Sequence, residues 1–204
     1  MTRVWLIRHG ESLLNAAGRL QGWADAPLTP LGREQAAARG VDFADAGVMF
    51  DAAFCADGMR HRETADGLLT ALGSSLTAQP DARWRELSFG ALEGGDGEHL
   101  GRLIAAQAGQ EDPFTAALEA LAATDVLAES PADVAARALP ALHEASGAGE
   151  EVLVVTSGIT IMTVLDALGA DLTRLTTGPA NLSVSTVLRA DAGWRVERVA
   201  VEVL

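Results

Sequence analysis

Val4-Trp5-Leu6-Ile7-Arg8-His9-Gly10-Glu11-Ser12 decides how the rest of the chain is read. Its four apolar residues predict a short buried strand, and the polar run begins at that strand's carboxyl end. In open α/β sheets, ligands collect outside that end. Arg8 brings a permanent cation with a fork of donors. His9 brings a ring nitrogen suited to base, ligand or nucleophile. Gly10 lets the backbone turn and a ligand approach closely. Together they suit an anionic group, most simply a phosphoryl group. An R-H-G triplet also arises by chance, so its meaning depends on the rest of the chain.

A second apolar run, Val152-Leu153-Val154-Val155-Thr156, is continuous and β-branched, as expected of a central strand covered on both faces. Short strands are also predicted over 51–56 and 78–86, the latter running into the Gly-rich turn Phe89–Gly97. Leu182–Arg189 and Trp194–Val201 are two more strands, joined by the hairpin turn Asp191-Ala192-Gly193. Helices are predicted between them. Thr29-Pro30 opens one that runs to about residue 46, with Thr as N-cap and Pro at the first position. Gly58–Leu72 is amphipathic and stops at Gly73. Residues 99–145 are Ala-rich and helical, with a restart at Ser130-Pro131-Ala132-Asp133, and Ile159–Leu168 closes the series. Residues 11–28 have no clean period and read as a long ordered loop. Strands alternating with helices, closed by one hairpin, predict an α/β domain with a mostly parallel sheet, spanning residues 1–204 as a single unit.

The 204 residues are 49% hydrophobic and 21% charged, an ordinary globular balance. The net charge of −13 argues against nucleic acid and anionic membranes as partners, and makes any local cluster of arginines more informative. No apolar run is long enough to span a bilayer, no signal-peptide pattern precedes the first strand, and Cys55 is the only cysteine. A cytoplasmic location is expected. All fifteen basic residues are Arg, so no Lys nucleophile exists, and Tyr is absent.

Several segments resemble the histidine phosphatase superfamily, the phosphoglycerate mutase-like enzymes. Arg8-His9-Gly10-Glu11-Ser12 is followed by Asn15, and then by the run from Gly18-Arg19-Leu20-Gln21-Gly22-Trp23 through Thr29-Pro30-Leu31-Gly32 to Gln35-Ala36. Arg60-His61-Arg62-Glu63-Thr64-Ala65 is similar to the family's R-x-x-[QE]-T-A helix start. Arg85-Glu86-Leu87-Ser88-Phe89-Gly90-Ala91-Leu92-Glu93-Gly94 is similar to its acid-bearing turn. Glu129-Ser130 with Asp133 and Arg137 looks like its late helix, and Pro179-Ala180-Asn181 like the lead into the last strands. One segment departs: where the family carries a second catalytic histidine in an S-H-G context, this chain has Thr156-Ser157-Gly158.

The resemblance implies a three-layer α/β/α sandwich and a phosphoric monoester hydrolase acting through a phosphohistidine at His9, with no metal and no cofactor. Arg8 and Arg60 would bind the equatorial oxygens of the transferring group through charge-assisted forks. Glu86 would protonate the leaving oxygen, with Glu11 as the neighbour that keeps it neutral. Asn15, Gln21, Gly22, Ser157 and Gly158 would complete the phosphate site, and Arg19 would reach the remote part of a small phosphorylated metabolite. Ser157 predicts slow or retuned turnover, because a neutral hydroxyl replaces a charged donor. Two rival functions stand beside this one. The first is a pseudoenzyme that binds a phosphorylated ligand. The second, ranked lower, is a phosphoglycerate mutase, since such mutases carry a longer insertion after the acid-bearing turn and keep the second histidine. His61, His99 and His143 are assigned to surface or packing, and replacement of the missing histidine by one of them is the weaker alternative. The oligomeric state is open, a homodimer through a sheet edge or helix face included.

Overall fold

The computed structural model describes residues 1–172 and 178–203. Among them, six strands form one mixed sheet: β1 (Thr2–Arg8), β2 (Ala52–Cys55), β3 (Gln79–Pro80), β4 (Glu151–Thr156), β5 (Val184–Ala190) and β6 (Gly193–Val201), in the order β3-β2-β4-β1-β5-β6. The pairs β3/β2, β2/β4 and β4/β1 are parallel, while β1/β5 and β5/β6 are antiparallel. Seven helices accompany them: α1 (Leu13–Ala16), α2 (Pro30–Asp45), α3 (Met59–Leu72), α4 (Gly97–Ala106), α5 (Pro113–Thr124), α6 (Pro131–Ala145) and α7 (Gly158–Ala167).

The alternation of side chains along β1 and β4 explains the layering. Val4, Leu6, Val152 and Val154 point to one face, against Ala138, Leu142, Ile161 and Leu165 of α6 and α7. Trp5, Ile7, Leu153 and Val155 point to the other, against Phe43 of α2 and Leu68 and Leu69 of α3. Both strands are covered on both faces, as their unbroken apolar runs require. Helix starts follow local chemistry. The Thr29 hydroxyl accepts from the Gly32 amide at 3.0 Å, and Ser130 with Asp133 forms a capping box ahead of Pro131.

Two expectations change. The strand predicted over 78–86 is cut to two residues, because Pro80 has no amide to donate and the Asp81 carboxylate accepts from the Arg83 amide at 2.8 Å, turning the chain into a tight helical turn at 82–84. The loop 11–28 contains α1, closed by reciprocal bonds between Ser12 and Asn15. With four residues and no buried side chain, α1 offers no periodicity to detect.

What matters for the site is register. Arg8 lies opposite Thr156, and Val155 opposite Cys55, so β1, β4 and β2 end level. The His9 amide donates to the Thr156 carbonyl at 3.0 Å and the Ala56 amide to that of Val155 at 2.9 Å. The turns after these strands, His9-Gly10, Ser157-Gly158 and Asp57-Gly58 leading into α3, therefore converge at one place.

Candidate active site

His9 occupies that convergence and is 3% exposed. Its Nδ1 faces the Gly10 carbonyl at 2.8 Å; a carbonyl only accepts, so Nδ1 carries the proton and the Nε2 lone pair is left free. The backbone around it is held from three sides. Asn181 Nδ2 donates to the His9 carbonyl at 2.7 Å, the Gly10 amide donates to Thr64 Oγ1 at 3.0 Å, and the Leu182 amide donates to the Arg8 carbonyl at 3.0 Å. Gly10 permits this closeness: a Cβ there would fall 2.6 Å from the Gly32 carbonyl oxygen.

Two guanidinium groups flank the ring, one on a buried Arg60 and one on a half-buried Arg8. Arg60, on the first turn of α3 and 1% exposed, donates from Nη2 to the Gly22 carbonyl at 2.8 Å and from Nη1 to that of Ala24 at 3.2 Å. Arg8 donates from Nη1 to the Pro179 carbonyl. In both, Nε is buried without a partner. Burial pushes both guanidinium groups below their ordinary range. Burial, with the charges of Arg60 and then Arg8, also holds the His9 imidazole well below the usual histidine range. The ring is therefore neutral at physiological pH, with cations on two sides.

Glu86 sits across from them at the start of α7. Oε1 accepts from the amides of Leu87 (2.9 Å) and Thr160 (3.0 Å), and Oε2 from that of Ile159 (3.0 Å). It thus caps the helix that Ser157 leaves without a side-chain cap. Glu11 does not neighbour it as expected: its Oε1 accepts from Thr29 Oγ1 at 2.7 Å, at the start of α2, while amide donors surround Glu86.

The other predicted residues divide. Gly22 supplies the carbonyl that anchors Arg60. Gln21 is buried with Oε1 bonded to Ser12 Oγ and Nε2 unpartnered. Gly158 begins α7, where a Cβ would lie 3.8 Å from Arg8 Nε. Asn15 turns back to close α1, and Arg19 is exposed, its backbone bridged to Asp96; neither is drawn into the cluster. His61 is not on the surface and lies beside His9, a place its assignment to surface or packing did not give it. It is 1% exposed, its ring meets that of His9 edge to face with centroids 5.1 Å apart, and its Nε2 lies 2.7 Å from Ser157 Oγ.

Two carboxylates hold the frame. Glu93 accepts the amides of Gly22, Trp23, Ala24 and Phe89 at 2.8–3.1 Å, fixing the loop whose carbonyls anchor Arg60. Glu129 binds Arg137, whose Nη atoms donate to the carbonyls of Arg83, Arg85 and Glu86 at 2.7–3.0 Å. Outside lies a cavity of about 280 Å³ lined by Gly22, Trp23, Asp25, Asp57, Gly58, Arg60, His61 and Arg85. Arg85 stacks over Trp23 at 4.8 Å while paired to Asp57 at 2.6 Å.

The profile of the histidine phosphatase superfamily (branch 1) matches residues 4–202. The chain belongs to that superfamily. Among curated relatives, Probable phosphoglycerate mutase GpmB of Erwinia tasmaniensis is 42% identical over 93 residues, 46% of this chain and 41% of that protein. A 2,3-bisphosphoglycerate-dependent phosphoglycerate mutase of Rhizobium meliloti is 41% identical over 90 residues, 44% of this chain and 43% of its own. The superfamily chain thus matches less than half the length of these relatives. The crystal structure of phosphoglycerate mutase from Bacillus anthracis superposes with a TM-score of 0.85 at 29% identity, covering 98% of this chain and 92% of that one. A mycobacterial glucosyl-3-phosphoglycerate phosphatase with VO3 shares the fold, with a TM-score of 0.75 at 23% identity over 98% and 99% of the two chains. Among the described residues of this superfamily member, no helix is long and apolar enough to cross a membrane.

Proposed function

We propose that this superfamily member is a phosphoric monoester hydrolase acting on a small phosphorylated metabolite through a phosphohistidine at His9. One observation carries the reading: a neutral imidazole with a free Nε2 lies between two guanidinium groups whose Nε atoms are buried and lack partners. That arrangement suits an anion better than any packing role, because buried donors are normally satisfied.

In the first step Nε2 forms a bond to phosphorus as the ester P–O bond breaks, and the leaving oxygen takes a proton from Glu86. To donate, Glu86 must release one of the amides it caps. In the second step water attacks the phosphohistidine, Glu86 accepts a proton from it, the N–P bond breaks and phosphate leaves. Arg8 and Arg60 spread over the equatorial oxygens throughout. Ser157 stands where the resemblance calls for a second histidine. A hydroxyl alone there would leave the transition state one charged donor short, a cost of about 2.7–4 kcal/mol.

The test is release of p-nitrophenol from p-nitrophenyl phosphate, with His9→Ala as control. Hydrolysis lost in the variant supports the reading. Background release by both proteins leaves phosphate-ligand binding as the function. The likeness to phosphoglycerate mutases among the curated relatives favours a second reading, phosphoglycerate mutase. It predicts isomerisation of a phosphoglycerate when its bisphosphate is present.

A further inference from the structure

We propose that His61, coupled to Ser157, supplies the imidazole that the turn after β4 lacks, so the site holds two histidines assembled by a route that the family pattern does not contain. The inference rests on phosphoryl transfer at His9. Its starting point is the level ending of β1, β4 and β2, which puts Ser157 beside His9 and brings the first turn of α3 against both. His61 follows Arg60 on that turn, so one short segment delivers both a guanidinium group and a ring to the same volume.

Four features of the pair argue for a working contact. Ser157 is the N-cap residue of α7, yet its hydroxyl does not cap; Glu86 takes the Ile159 and Thr160 amides instead, and the hydroxyl is left to meet His61 Nε2 at 2.7 Å. The His61 ring lies edge to face with that of the nucleophile at 5.1 Å. His61 Nδ1 is buried against the Gly58 backbone and makes no hydrogen bond of ordinary geometry, a loose end that an apolar side chain of similar size would avoid at no loss of packing. The ring packs closely on Gly58, where a Cβ would stand a tight 3.1 Å from that Nδ1.

In the tautomer that carries its proton on Nε2, His61 donates to Ser157 Oγ, and the hydroxyl turns its own proton outward, towards an oxygen of a phosphoryl group on His9. The imidazole polarises that hydroxyl as charge gathers on the transferring group. Ser157 touches the substrate; His61 acts through it as a positioning residue. No proton has to leave the pair, and no bond other than those of the two-step transfer changes.

The experiment measures kcat and KM for p-nitrophenyl phosphate in the full chain, with folding checked by thermal melting. The variants are His9→Ala, His61→Ala, His61→Gln, Ser157→Ala and the double variant His61→Ala with Ser157→His. We expect His61→Ala and Ser157→Ala to lower kcat about a hundredfold with KM nearly unchanged, as for loss of a donor felt in the transition state. His61→Gln, which keeps a neutral donor, should fall between. The double variant should regain at least about tenfold over His61→Ala, since it returns an imidazole from the other side. Should His61→Ala fail to fold, His61→Gln and Ser157→Ala carry the test. Turnover within about threefold of wild type in folded His61→Ala or His61→Gln, with His9→Ala inactive, overturns the role of His61 and leaves the phosphatase standing. The same holds for a double variant no better than His61→Ala. Equal, background release by wild type and His9→Ala overturns both.

Discussion

A histidine attacks phosphorus only while it is unprotonated and one ring nitrogen is free, and His9 meets both conditions through its surroundings. The acid limb of kcat/KM should therefore lie well below pH 6.5, because the ring stays neutral far under its ordinary titration range. A pH–rate profile of p-nitrophenyl phosphate hydrolysis that falls off at or above pH 6.5 would contradict this. The same burial has a stability consequence. His9 and His61 are both held neutral in the folded chain, by burial above all, whereas in the unfolded chain each protonates near about pH 6.5. Below that pH the unfolded state binds more protons, so stability is full above about 6.5 and falls as pH drops towards the depressed folded values. The slope is about 1.4 kcal/mol per pH unit for each ring once it is fully developed. Urea denaturation between pH 7.5 and 5.5 should show the loss, and His61→Gln should remove about half of it. His9 and Arg60 were legible as residues because each sits in a motif at the end of a strand. His61 was not: one imidazole in a helix start carries no mark of burial, and its meaning depends on a serine 96 positions away.

At the scale of elements, the site is held by segments that never touch a ligand. Arg60 owes its direction to the carbonyls of Gly22 and Ala24, and that loop owes its shape to Glu93, which collects four amides. Glu93→Gln can accept with one oxygen only, so it should weaken the loop, lower stability by about 1–3 kcal/mol and raise KM more than it lowers kcat. Arg137→Ala removes donors from the carbonyls of Arg83, Arg85 and Glu86 and leaves Glu129 without its cation, held by the Ser88 amide alone, costing about 2–3 kcal/mol in urea denaturation and misplacing the acid. Helix starts were readable wherever the signal was a side chain bonding its own backbone, as at Thr29 and Ser130. The start of α7 was predicted without its cap, because the capping carboxylate comes from Glu86, far away in sequence. Likewise nothing local to Glu11 tells whether it faces Glu86 or Thr29; that is decided by how α2 docks.

At the scale of the molecule, a chain of net charge −13 concentrates two desolvated cations at the carboxyl ends of three parallel strands. The strand pattern could be read from Val4–Ile7 and Val152–Val155 because runs buried on both faces must be uniformly apolar. The relative level of the strands could not, since register is a tertiary property, and register alone brings His9, Ser157 and α3 together. Holding Arg8 and Arg60 out of water with unpartnered Nε atoms costs stability in the empty site. An oxyanion that satisfies them offsets this cost, so ligand binding and folding must be coupled. At a hundred times its dissociation constant, inorganic phosphate or vanadate should stabilise the fold by about 2.7 kcal/mol, a rise of about 5–10 °C in Tm for a chain of this size. Arg60→Ala should abolish most of that rise. Equal shifts in both proteins, followed by differential scanning fluorimetry across a phosphate titration, would place the anion elsewhere on the molecule and separate the arginine pair from the chemistry assigned to His9.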